Sequence, residues 1–182
     1  KDLLPDEEIN RTKEDIFKYG ANVKKIYNTA AYNNLDIYQV NCTYYSALGD
    51  DDRAYLLARA VQFFAPGIPQ VYYVGLMAGK NDLKLLEETK VGRNINRHDY
   101  TEEEIAEEVK RPVVEKLIKL MEFRNSFPAF DDSFEMQDCE DGKLIIVRES
   151  NGYTARLEAD FTTKEFVVTA TSPDGETKKP EF

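Results

Sequence analysis

The sequence predicts an α/β unit followed by a small antiparallel β domain. A helical apolar pattern over residues 51–65, a Gly/Pro turn at 66–69 and a β-branched and aromatic stretch without alternation at 70–74 follow one another. This order is typical of a parallel sheet whose strands are buried on both faces. Beyond position 130 the pattern changes to short strand-like segments separated by turn residues. We therefore predict two domains, residues 1–130 and 131–182.

The N-terminal part is predicted to be a polar helix followed by a long irregular segment. Pro5 precedes the helix at residues 6–19, Asp6 can cap it, and Gly20 can end it. Residues 21–46 are rich in Asn and Tyr and exceed the usual length of a connection. Long loops in compact domains are usually either functional or disordered.

Three more helices are predicted after residues 70–74. A short one covers residues 82–88, and a second covers 101–109, where Thr101 and Glu104 have the spacing of a capping box. The last one starts at Pro112, a residue that is favoured in the first turn of a helix.

The C-terminal domain shows the pattern of consecutive hairpins. Asp141-Gly142 and Asn151-Gly152 stand between apolar segments, and such dipeptides are strong signals for tight β-turns. The predicted strands are residues 133–137, 143–149, 153–159 and 165–171.

Composition excludes several classes of function. The 182 residues carry a formal net charge of −10, whereas nucleic-acid binding needs a basic surface. No apolar stretch is long enough for a membrane span, and Cys42 and Cys139 suit free thiols in a reducing cytoplasm.

His98, the only histidine, lacks a ligand cluster, so we predict a packing or loop-orienting role and neither metal nor cofactor. Because position 1 is Lys1, we expect a piece of a longer protein.

Three stretches resemble sucrose phosphorylases of the α-amylase clan of glycoside hydrolases. They are residues 34–48 (NLDIYQVNCTYYSAL), residues 58–82 (ARAVQFFAPGIPQVYYVGLMAGKND) and residues 92–98 (GRNINRH). The resemblance implies the C-terminal portion of a (β/α)8 barrel followed by an antiparallel β domain. Residues 1–48 would form the insertion after strand seven, 71–74 strand eight, and 113–126 helix eight.

The same resemblance implies a retaining glucosyltransferase, which converts sucrose and phosphate into glucose 1-phosphate and fructose. Such chemistry needs two carboxyl groups about 5–5.5 Å apart. In the family these groups, and a third carboxylate that stabilises the transition state, belong to the part that precedes Lys1. We therefore predict no catalytic residue in this chain, no activity in isolation and a requirement for the N-terminal barrel half.

The substrate-binding residues are likewise implied by the resemblance. Arg93 would hold the distant hydroxyls of the glucosyl ring, for which a guanidinium offers fixed donors. Asp36 and Gln39 would bind fructose and favour unphosphorylated sucrose. Tyr38 and the backbone amide of Ile37 would contact phosphate after a rearrangement of their loop.

The sequence departs from the family motif at two positions, and two other functions remain as rival hypotheses. Asn94 replaces an Asp of the family motif, and Asp99 replaces a Tyr. A rival function is a non-catalytic module that binds sugar or a partner protein, with homodimer formation through an exposed barrel strand. A small enzyme that uses Asp36 is less favoured, because no second carboxylate lies at a predictable distance.

Overall fold

The computed structural model describes residues 4–23 and 40–182, which form two compact units. The first unit contains the described residues up to Asp51 together with Tyr72–Ile105. The second unit contains Asp52–Val71 and Ala106–Phe182. The domain boundary near residue 130 stays a prediction.

The helices and strands follow one another along the described chain, with two short 3-10 helices among them. They are α1 (Asp6–Lys18), β1 (Asn22–Val23), β2 (Val40–Asn41), α2 (Tyr44–Ala47), α3 (Asp52–Phe64), α4 (Tyr73–Leu76), α5 (Leu83–Thr89), the 3-10 helix Gly92–Asn96, α6 (Glu102–Glu108), α7 (Pro112–Ser126), the 3-10 helix Pro128–Phe130, β3 (Ser133–Gln137), β4 (Lys143–Ser150), β5 (Tyr153–Asp160), β6 (Glu165–Thr171) and β7 (Thr177–Lys178).

The ends of the predicted helices largely follow their local signals. Gly20 ends α1 with a φ of +82°, but Asp6 lies inside the first turn, and Pro5 takes the N-cap position without a side-chain hydrogen bond. The capping box is confirmed: Thr101 N donates to Glu104 Oε2 at 2.7 Å, and Glu104 N donates to Thr101 Oγ1 at 3.2 Å.

The predicted strand at residues 70–74 is wrong for this chain. Its last two residues instead begin the short helix α4, and the described residues contain no strand beside it. Tyr72 and Tyr73, which the barrel interpretation places in a core, are 55% and 39% exposed. A parallel strand depends on neighbouring strands for its backbone hydrogen bonds. Without them the segment satisfies its backbone locally in a helical turn.

The first unit also contains a strand pair that the sequence did not predict. β1 and β2 are antiparallel, with Asn22 opposite Asn41 and Val23 opposite Val40. This pairing brings together the two chain ends that flank residues 24–39, which lie outside the described residues.

The hairpin prediction for the second unit is confirmed. The sheet has the order β3-β4-β5-β6-β7, and each neighbouring pair is antiparallel. At the β4–β5 turn, Asn151 and Gly152 have φ values of +51° and +80°, as a two-residue hairpin turn requires. Ile146, Leu157 and Val168 lie opposite one another and are buried, so they mark the inner face of the sheet.

The core of the second unit lies between this inner face and the helices α3 and α7, which contact each other. Its fully buried side chains include Phe63, Phe64, Val113, Leu117, Leu120 and Leu157. Phe64 meets Phe130 edge to face, with the ring centroids 5.1 Å apart. In the second unit, α3 therefore packs on the sheet and α7 packs against α3.

Candidate functional site

Arg93, the one predicted site residue that the structure describes, lies on the 3-10 helix Gly92–Asn96 in the first unit. Its side chain is exposed, and among residues 4–23 and 40–182 no acidic side chain pairs with it. The turn beneath it is fixed, because Ile95 is fully buried and Asn94 Nδ2 donates to Thr89 Oγ1 at 3.0 Å. Arg93 thus has an accessible guanidinium on an anchored backbone.

Asp82 connects this turn with the start of α5. Its backbone N–H donates to the carbonyl oxygen of Ile95 at 2.7 Å, and its Oδ1 accepts from Leu85 N at 2.7 Å. Its second carboxylate oxygen lies 2.6 Å from His98 Nδ1. His98 Nε2 lies 3.5 Å from Glu104 Oε1, so the imidazole bridges two carboxylates. This position agrees with the loop-orienting role predicted for His98.

The hydrogen bonds of this network shift the pKa values of its members. The hydrogen bond to Asp82 raises the pKa of His98, against the opposing effect of burial. Burial opposes ionisation of Asp82, but the hydrogen bonds from Leu85 N–H and His98 outweigh it and lower the Asp82 pKa. The geometry therefore favours an ionised carboxylate beside a protonated imidazole.

Asn81 connects two further segments of the first unit, the end of α1 and the stretch 42–46. Its Oδ1 accepts from Thr43 N at 2.8 Å, and its Nδ2 donates to the Tyr19 carbonyl oxygen at 3.2 Å. Its own N–H donates to Ser46 Oγ at 3.0 Å, and Cys42 Sγ lies 3.4 Å from Nδ2. Sequence reasoning missed this residue, because its partners lie 35 or more positions away and leave no local pattern.

A cleft of about 290 Å³ opens in the first unit beside the network of Asp82 and His98. His98 contacts its aromatic wall, with its ring edge to face against Tyr100 at 4.6 Å. Gly79 makes the fit possible, because a Cβ there would lie 2.3 Å from the Tyr100 hydroxyl. The cleft is lined by Tyr73, Met77, Asp99, Tyr100 and Ile105.

The remaining predicted site residues are not described. The segment 24–39, outside the described residues, contains Asp36, Ile37, Tyr38 and Gln39.

Cys42, close to that segment, is a half-buried free thiol whose pKa is raised by burial, so it is a poor nucleophile. In the described ranges, no three His, Cys, Asp or Glu side chains could hold a metal ion together. Those ranges also hold no helix long and apolar enough to span a bilayer.

Comparisons with known proteins place these features in a family. No protein-family profile matches the chain. A sucrose phosphorylase of Streptococcus mutans is 54% identical over 176 residues, which cover 96% of this chain and 37% of that protein. A sucrose phosphorylase of Bifidobacterium adolescentis is 52% identical over 164 residues, or 90% of this chain and 32% of that protein. Over most of its length the chain is therefore similar to the C-terminal third of sucrose phosphorylases.

The structural comparison agrees with this assignment. The crystal structure of a sucrose 6F-phosphate phosphorylase from Thermoanaerobacter thermosaccharolyticum matches 99% of this chain with a TM-score of 0.93 and 41% identity. The match covers only 37% of that sucrose 6F-phosphate phosphorylase. The predicted fold class is therefore confirmed, and the chain spans little more than a third of the length of the relatives it matches.

Proposed function

We propose that this chain supplies the outer, sugar-facing part of the active site of a sucrose phosphorylase-type retaining glucosyltransferase. The observation that supports this most is the 0.93 TM-score over 99% of the chain, against a coverage of only 37% of the solved relative. The nucleophile, the acid/base and the carboxylate that stabilises the transition state then belong to the part of the fold that this chain does not match. The chain alone is inactive.

Within that site, Arg93 holds the glucosyl ring. Its exposure on an anchored turn supports this role, because a rigid guanidinium fork can donate several hydrogen bonds to sugar hydroxyls. Asp36 and Gln39 bind the fructose unit of sucrose. Tyr38 and the amide of Ile37 bind inorganic phosphate, so that glucose 1-phosphate and fructose are the products.

The principal partner of the chain is the N-terminal barrel half. Ile68 is 94% exposed and Tyr72 55% exposed, although both are large and apolar. Large exposed apolar side chains are typical of a surface that another polypeptide covers.

The free thiols Cys42 and Cys139 support a cytoplasmic location. The exposed apolar side chains also support the rival function, a non-catalytic module that associates with a second copy or with another protein.

The test joins this chain to the N-terminal two thirds of the Streptococcus mutans relative and measures phosphate-dependent release of glucose 1-phosphate from sucrose. We expect activity in the fusion, and a loss of about 100-fold or more in kcat/KM for Arg93→Ala, which removes several charged hydrogen bonds to the sugar. Arg11→Ala, at an exposed arginine that pairs with Glu8 on α1, is the matched control and leaves kcat/KM unchanged. Equal activity of the Arg93→Ala and Arg11→Ala fusions would contradict the proposal.

A further inference from the structure

We propose that Asp82 and His98 are positioning residues that hold the backbone of Arg93 in place for sugar binding. This inference rests on the proposed function of Arg93. Neither side chain is expected to touch the substrate. They act through the turn that carries the arginine.

Asp82 contacts the chain around Arg93 at two points. Its backbone N–H donates to the carbonyl oxygen of Ile95, and its carboxylate holds His98 at 2.6 Å. These anchors lie two and five residues after Arg93, and the turn between them closes through a hydrogen bond from Arg97 N to the Asn94 carbonyl oxygen at 3.1 Å. One residue therefore fixes both the middle and the end of the Arg93 segment.

The connection to His98 depends on charge as well as on geometry. The groups that face the imidazole are Asp82, Glu104 and the ring of Tyr100, while Lys84 acts electrostatically on Asp82. The Asp82 carboxylate is only partly accessible, with its side chain 16% exposed. A charge-assisted hydrogen bond in such a position is stronger than a neutral one.

Asn is as good an N-cap residue as Asp. The variant Asp82→Asn therefore keeps the start of α5 and removes only the charge that holds His98. A control is Asp160→Asn in the second unit, where the carboxylate also accepts from backbone N–H groups, those of Thr162 and Thr163. The two variants separate a specific effect on the turn from a general effect of losing a carboxylate.

The first experiment uses the 182-residue chain itself. In hydrogen exchange, we expect Asp82→Asn to speed exchange of the amides of residues 92–97 by about tenfold, the effect of one lost charge-assisted hydrogen bond. Exchange in β4 and β5 stays unchanged. Asp160→Asn leaves residues 92–97 unaffected. Unchanged exchange at 92–97 in Asp82→Asn would overturn the inference without touching the proposed function.

The second experiment is a double-mutant cycle in the fusion with the Streptococcus mutans N-terminal part. His98→Ala lowers kcat/KM for sucrose by about tenfold, and His98→Asn, which can still donate towards Asp82, restores part of it. In the background of Arg93→Ala, His98→Ala has no further effect, because it acts through the arginine. Additive losses overturn the inference. If Arg93→Ala alone has no effect, the proposed function fails instead.

Discussion

The two units of this chain are stabilised by different kinds of interaction. In the second unit the buried side chains are mostly apolar and come from helices and sheet alike, such as Phe64, Leu117 and Leu157. In the first unit the buried residues include the polar side chains Asn41, Thr43 and Ser46. Burial of apolar surface is stabilising in proportion to its area, about 25 cal/mol per Å². The first unit depends more on a few directed hydrogen bonds, each of which contributes less to stability than the burial of a large apolar side chain.

The largest effect is expected in the apolar core. Leu117 is fully buried on α7, so Leu117→Ala leaves a cavity and should lower the free energy of unfolding by about 3 kcal/mol. Hydrogen exchange of the sheet amides, measured at increasing urea concentrations, reports this change in the free energy of unfolding. Lys119→Ala, on the exposed face of the same helix, is the control and should cost little. A loss of less than about 1 kcal/mol for Leu117→Ala would argue against this core.

The second unit also buries the polar side chains of Arg59, Arg148 and Ser150, and among them the Arg148 guanidinium connects the most segments. It donates to the carbonyl oxygens of Ser133 at 2.8 Å, Phe130 at 2.6 Å and Phe64 at 3.2 Å, and thereby ties the end of α3 to the sheet. Arg148→Met leaves these acceptors unsatisfied and should cost about 2–3 kcal/mol. Thermal unfolding compares the stability of Arg148→Met with that of Arg156→Met, a substitution at a more exposed position of the sheet. Equal stability of the two variants would disagree with the structure.

The two units also differ in how far their sequence predicts them. The hairpins of the second unit depend on local chemistry, since Asn151 and Gly152 accept the positive φ that the turn needs. The helix start at Pro112 and the capping box at Thr101 are local in the same way. These features were therefore predicted to within a residue or two.

The features that the sequence did not predict depend on distant partners. The stretch that includes Tyr72 and Tyr73 has the composition of a buried strand, but a strand exists only where a neighbour pairs with it. Asn81 is one polar residue in a loop, and its partners Thr43 and Tyr19 are fixed by the fold. For the site, only a family resemblance indicated Arg93, and nothing local indicated that Asp82 lies beneath its turn.

A smaller effect is expected for the polar network of the first unit. Asn81→Ala removes hydrogen bonds to Thr43 N and to the Tyr19 carbonyl oxygen, and should cost about 1–2 kcal/mol. Limited proteolysis and exchange of the amides of residues 43–50 should show an earlier opening of this unit, while the sheet stays protected. Asn10→Ala, on the exposed face of α1, is the matched control. Loss of sheet protection in Asn81→Ala would show that the units are not stabilised separately.

The smallest effect is a dependence of stability on pH. The pKa of His98 is raised above its ordinary 6.5, so its contribution is complete below that pH and is lost as the pH rises through the folded-state pKa. The pKa of Asp82 is lowered from 3.8, so the pair is strongest between these two values. The stability difference between the unaltered chain and His98→Ala should be about 1 kcal/mol near pH 5 and smaller near pH 9. A difference that grows with pH would contradict this sign.

If this chain contributes to sugar binding but not to the covalent chemistry, glucose 1-phosphate should form only when the N-terminal barrel half is present. The direct measurement compares glucose 1-phosphate formation from sucrose and phosphate by the isolated chain, by the isolated N-terminal two thirds of the Streptococcus mutans relative, and by the two polypeptides mixed. We predict no turnover by either part alone and turnover in the mixture or the covalent fusion. Turnover by the isolated 182-residue chain would contradict the account.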